Sequence, residues 1–273
     1  MAIWTLAGLT FKEAARKKLL WMALLVGLAF LALFGIAQHY QSFGPRVTPL
    51  LRKQIMNTQF LVGLYVLNFL VLAMTVLTSV DTLSGEIASG TIQAIATKPL
   101  RRHQILIGKW LGFVGMLTIF LTMMVIGLAA MTHWITGFSP RHLFQGLSLM
   151  WLEGVLLLTV TFLFGTIFST LSNGIIALGL HGLAFLGGWI EQFALVTNSE
   201  RVATIGVIAS IVMPSEALWR RAAFEMQSPL VGALGFSPFA GGATPSTAMI
   251  GYAAVYCLAS LALSLRLFGK RDL

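Results

Sequence analysis

Six stretches of this chain, 19–37, 60–80, 105–131, 147–168, 174–190 and 249–268, are apolar almost throughout and run roughly 17 to 27 residues each. That is the length needed to cross a hydrocarbon layer about 30 Å thick as a helix. In lipid no water is at hand for the backbone, and every unsatisfied N–H or C=O costs several kcal/mol, so these stretches are forced into helices. None of them holds a proline; all eight lie outside these runs. With 57% hydrophobic and 10% charged residues and a mean hydropathy of +0.86, the chain is too apolar for an ordinary soluble domain. The reading is an all-α polytopic membrane protein with six transmembrane helices, forming one transmembrane domain over residues 1–273.

The net charge of +9 does not point to nucleic acid, because the basic residues sit in short clusters flanking the apolar runs, which is how membrane orientation is set. With the N-terminus inside, the inner side receives Lys12, Arg16, Lys17, Lys18, Lys98, Arg101, Arg102, Lys109, Arg266, Lys270 and Arg271. The outer side receives Arg46, Arg52, Lys53, Arg141, Arg201, Arg220 and Arg221. Eleven against seven places both termini in the cytoplasm, and an even number of spans agrees. Residues 1–18 lack the cleavage site of a removable signal peptide. Lys12 and Arg16, and Glu13 and Lys17, are four apart on a helix whose Trp4, Leu6, Leu9 and Phe11 can enter lipid, which predicts an interfacial amphipathic helix. The plainer alternative is a basic anchor without regular structure.

Between the second and third runs lies a polar island, 80–109, with Asp81, Glu86, Lys98, Arg101, Arg102 and Lys109 separated by Ser84, Gly85, Ser89, Gly90 and Thr91. Ile92, Ile95 and Ala96 recur at three- and four-residue spacing, so a short amphipathic helix can form there. Gly90 permits a sharp turn into it, Thr91 can cap it, and Pro99 ends it at or before Lys98. The order Gly85-Glu86, Ser89-Gly90-Thr91, Lys98-Pro99, Arg101 and Gly108-Lys109 resembles the connection between the second and third spans of ABC-2 type transporter permeases, most nearly a NosY-like subgroup. Pro214-Ser215-Glu216-Ala217-Leu218-Trp219-Arg220 and the terminal Arg271-Asp272-Leu273 are weaker matches to the same family.

The resemblance implies that 81–104 is a cytoplasmic coupling region docking on a separate ATPase. Within it, Glu86 makes an orienting polar contact and Gly90 the turn. Thr91, Ile92, Ile95 and Lys98 belong to the docking helix, Pro99 ends it, and Arg101, with Lys109, anchors to lipid headgroups. It also implies a homodimer or paired permease working with two copies of an ABC ATP-binding subunit. ATP and Mg are then held by that partner, with no cofactor on this chain, in the inner membrane of a bacterial cell. A plain charged loop that only fixes orientation is the competing reading of the island.

Residues 191–248 read as an extracytoplasmic loop. Its apolar piece 202–213 is too short to cross alone and reads as a re-entrant or interfacial helix. Pro214 stops that helix and Ser215 can cap the next, an amphipathic piece over 216–225 with Leu218 and Trp219 facing lipid or protein. The Gly-, Ser- and Pro-rich 229–245 reads as loop.

Ionisable groups inside a membrane are functional suspects. Glu153 lies about six residues into the fourth run, roughly 9 Å from its outer end; it either lines a polar path or reaches the outer interface. His181 lies deeper, and either meets substrate or protons, or hydrogen-bonds a facing helix. Gly174, Gly179, Gly182, Gly187 and Gly188 in the fifth run, and Gly108 and Gly112 in the third, invite close helix contact. The five histidines and the single Cys257 show no metal-ligand spacing, and neither a phosphate-binding GxxxxGK[ST] loop nor a GxSxG elbow occurs. The function expected is the membrane-spanning permease subunit of an ATP-driven exporter rather than an enzyme. The alternatives are a secondary transporter driven by an ion gradient and a non-transporting membrane scaffold.

Overall fold

The computed structural model describes residues 2–16, 18–41, 47–88, 101–197, 199–228 and 245–270. Among them are α1 (Ala2–Arg16), α2 (Lys18–His39), α3 (Pro49–Ala88), α4 (Arg102–Thr136), α5 (Leu143–Gly165), α6 (Thr170–Thr197), α7 (Glu200–Val212), α8 (Ser215–Met226) and α9 (Thr247–Lys270). Six of these, α2 to α6 and α9, are long and apolar enough to cross a membrane. The described residues are thus an all-helical bundle that passes through the membrane several times.

The helices outrun the apolar runs that nucleate them. Around 60–80, α3 extends for 40 residues, from Pro49 in the first turn, where a missing N–H costs nothing, to Ala88. At 1.5 Å per residue it is about 60 Å long, twice the hydrocarbon thickness, so it projects from both surfaces. Residues 81–88, expected in the connection, therefore continue this helix. The hydroxyls of Thr75, Thr78 and Ser79 donate to the carbonyls of Val71, Met74 and Thr75 at 2.6–2.7 Å and place no demand on the lipid. Residues 89–100, with Gly90, Thr91, Ile92, Ile95, Lys98 and Pro99, lie outside the described residues.

α5 is the most buried span and packs against α3, α4, α6, α8 and α9. It meets α4 antiparallel: Gly154 faces Leu117, Trp110 Nε1 donates to Thr159 Oγ1 at 3.0 Å, and Phe113 and Phe162 meet edge to face at 6.0 Å. α2 follows α4 in parallel, Gly27 against Met124 and Gly35 against Met131. α1 is seated on the start of α4 at the two glycines of its first turns. A Cβ on Gly108 would stand 2.6 Å from Leu6 Cβ, and one on Gly112 would stand 2.8 Å from the Ala7 carbonyl and Thr10 Cβ. The N-terminal helix is therefore a docked element, with Trp4 and Leu9 outward and Ala7, Thr10 and Ala14 inward. Arg102 Nη1 donates to the Gly269 carbonyl at 3.3 Å, which puts the close of α9 at the same end of the bundle as α1 and the start of α4. We call this the proximal end.

At the distal end the chain folds back. α7 packs along α6 through Gly206, Gly187 and Ala209, where one backbone lies directly against the other. At Met213–Pro214 the axis bends by 102° into α8, which packs on α5 and reaches Met226 beside Gly146. Leu218 and Trp219 are both 1% exposed, so they face protein. Ser215 does not cap α8 with its side chain as expected. Its hydroxyl is drawn instead to the imidazole of His181 on the facing helix, at 3.0 Å.

Candidate functional site

The proximal end of α3 is held by polar groups from three helices. Glu86, near its last turn, forms an ion pair with Lys109 of α4, whose residue is 4% exposed. Lys109 is thus turned into the bundle, and the expected anchoring of this residue to lipid headgroups is corrected: the half-buried carboxylate of Glu86 is the nearer partner for its ammonium. One turn earlier, Thr170 at the start of α6 donates to Asp81 Oδ1 at 3.2 Å and exchanges a hydrogen bond with Ser84 Oγ at 2.9 Å. Asn173 Nδ2 donates to the Val80 carbonyl at 3.2 Å, and Gly165, at the end of α5, leaves room for that amide. A Cβ on Gly85 would meet the Asp81 carboxylate, and the exposed Asp81 side chain would have to turn away from Thr170 to admit it.

Arg101 immediately precedes α4 and is exposed; its backbone N–H donates to Gln104 Oε1 at 3.2 Å. The two ends of the connection 89–100, Ala88 and Arg101, therefore leave from a base in which α3, α4 and α6 are cross-tied. Charge-assisted and hydroxyl hydrogen bonds between the three helices oppose their separation at this end.

A second polar group lies at membrane depth. Glu153 is 0% exposed and accepts from Asn68 Nδ2 of α3 at 3.1 Å. α5 begins at Leu143, four residues before the apolar run, so Glu153 is ten residues in, about 15 Å from the distal end of the helix. It faces the bundle interior and does not reach the interface. His181, on α6, bonds Ser215 at the tip of the hairpin made by α7 and α8. Beside Ser215, Glu216 lies flat on Gly188 of α6. The hairpin is clamped there by Arg220, which donates to Glu191 Oε2 at 2.6 Å, and by the tilted contact of Tyr65 with Trp219, with ring centroids 5.3 Å apart.

The structure thus brings Glu153 and His181 to neighbouring helices, joined by groups that the sequence left unremarked. Asn68 is one; a lone amide in the middle of an apolar run is the signal that identifies it. Glu216 is another. It opens a segment that reads as amphipathic with no role assigned to this carboxylate, and only the fold-back of α7 and α8 carries it inward.

Six membrane-length helices, a sharply bent distal helix pair and a cross-tied polar base define an integral, multi-pass membrane protein. The family profile described as ABC-2 family transporter protein matches residues 4–273, and the chain belongs to that family. It is accordingly an ABC permease subunit, a class that pairs with an ABC ATP-binding subunit. No curated protein matches the chain.

Proposed function

We propose that this chain is the permease of a NosY-like ATP-driven exporter in the inner membrane of a bacterial cell. It pairs with itself or with a similar permease, and the pair is driven by two ATP-binding subunits that hold the ATP and Mg. The N-terminal helix, the connection 81–104 and the C-terminus face the cytoplasm; the segment 191–248 faces outward. Closure of the ATPases pushes on Thr91, Ile92, Ile95 and Lys98 beyond the turn at Gly90. Pro99 and Arg101 fix where that segment rejoins α4.

The observation that carries this reading is the base of the connection. α3 continues without a break from mid-membrane to Ala88, and Glu86 ties it to Lys109 of α4 just where the connection begins and ends. A push on the connection therefore displaces two long rods together, rather than bending one of them. The sharing of the proximal end by α1, the start of α4 and the close of α9 supports an arrangement with both termini inside.

The test is co-purification of the full-length chain with the ATP-binding subunit, in detergent. The expected result is retention of the ATPase, with loss of retention in Ile92→Asp and Ile95→Asp. Gradient-driven transport by the purified chain with no ATPase retained would replace this reading with that of a secondary transporter.

A further inference from the structure

Between α3, α6 and the tip of α8 lies a cavity of about 310 Å³, the size of a small-molecule site. Its polar lining is Asn68, His181 and Glu216; its rings are Tyr65, Phe69 and Phe185. Glu216 is 5% exposed, lines the cavity, and makes no hydrogen bond or ion pair with any described residue. Behind Asn68 stands Glu153, close enough to Glu216 for the two carboxylates to interact through the interior. Glu153 Oε1 and Asn68 Oδ1 are both buried without a partner among the described residues. What the pocket leaves unsatisfied is therefore acceptors, with the Glu216 carboxyl, which burial pushes up to about 8, at its edge.

The cationic side of the ledger is short. Arg220 acts on Glu216 from one turn further along α8; its Nη2 is bonded to Glu191, and its Nε and Nη1 are buried without a partner among the described residues. That leaves one guanidinium against three carboxylates, those of Glu153, Glu191 and Glu216. His181 Nδ1 is occupied by Ser215. Among the described residues no three or more of His, Cys, Asp and Glu are grouped to hold a metal ion. The mouth is apolar: Phe69 is 64% exposed and Leu178 is 41% exposed, on the flank that α3 and α6 turn away from the bundle core. An acidic floor, aromatic walls that attract cations by their π faces, and an apolar entrance at membrane depth suit one kind of ligand.

We propose that this cavity binds a lipophilic organic cation, an aryl-alkyl ammonium whose charged end donates to Glu216 and whose body lies among Tyr65, Phe69 and Phe185. This assignment names the substrate class of the permease and rests on that reading. Gly188 is part of the site, since only a residue without a side chain leaves Glu216 its place.

The experiment compares phenylbutylamine, phenylbutanol and phenylbutyrate, which share one body and differ in charge. Binding to the full-length protein in lipid nanodiscs is measured by calorimetry, with empty nanodiscs subtracted. The amine saturates near one site per chain, and the alcohol and the acid give only lipid partitioning. Glu216→Gln weakens the amine at least about tenfold, as loss of one member of a buried charge pair does. Equal binding of amine and alcohol to the unaltered protein overturns the proposal, whether or not the variant folds; so does an unchanged amine affinity in a folded Glu216→Gln. Retention of the ATP-binding subunit is scored on the same preparation. Amine binding lost with the ATPase retained removes the cation site alone. Amine bound with no ATPase retained removes the permease reading and leaves the site.

Discussion

Gly188 of α6 and Glu216 of α8 are in such close contact that a Cβ on Gly188 would stand 2.6 Å from Glu216 Cγ and 3.2 Å from its Oε1. The glycine is what lets a buried carboxylate lie along a neighbouring helix at membrane depth. Gly188→Ala therefore forces Glu216 out of place, and overpacking of this kind costs about 1–3 kcal/mol. Gly179→Ala, on the same helix with nothing within 4 Å of its Cβ, gains helix propensity and leaves stability unchanged or raised by up to about 1 kcal/mol. Thermal unfolding of the two variants in detergent, followed by the intrinsic fluorescence of the tryptophans, separates them by sign.

The Glu153–Asn68 bond makes a second prediction. Glu153→Ala leaves the Asn68 amide buried without its acceptor, a loss of about 1–3 kcal/mol beyond the cavity it opens. Glu153→Gln keeps an oxygen in the same place and costs less. If the two variants unfold at the same temperature, Glu153 acts as bulk alone and not as the acceptor that fixes Asn68.

A third concerns the seat of α1. Gly112→Val drives a branched side chain into the Ala7 carbonyl, which cannot move aside as a flexible side chain can. The helix then lifts, and the backbone at Arg16 and Lys18, whose side chains are already exposed, opens locally to trypsin. With about 1.4 kcal/mol of lost docking, cleavage there speeds up roughly tenfold. Gly115→Ala, three residues on with no atom within 4 Å of its Cβ, leaves the rate unchanged. The time course of the N-terminal fragment measures both.

Which parts of this structure were legible in the chain follows from the range of the forces involved. The spans were, because the demand of lipid for internal backbone hydrogen bonds acts on each segment alone. Their true ends were not: α3 reaches Ala88 because Glu86 and Asp81 find partners on α4 and α6, and partners are set by packing. Gly108 and Gly112 announced a close contact without saying with what; the answer, α1, lies a hundred residues earlier in the chain. Lys109 read as a headgroup anchor because a basic residue at a span end usually is one, and nothing local to it shows that Glu86 will stand opposite. Glu216 was the least visible, since its burial depends on the bend at Met213–Pro214 and on the bare surface of Gly188.

The central claim is that Glu86 and Lys109 bind α3 and α4 into one unit that takes up the stroke of the ATPase. It is tested by reversing the charges singly and together, and measuring cargo-coupled ATP hydrolysis by the reconstituted permease and its ATP-binding subunit. Reversing one partner sets two like charges against each other and leaves Lys109 or its replacement, 4% exposed in the native chain, without a counter-charge. Glu86→Lys and Lys109→Glu should each retain the ATPase subunit yet lose most coupled turnover, and the double reversal should restore a large part of it. Single reversals that couple as well as the unaltered protein, or a double reversal no better than either, would contradict the account.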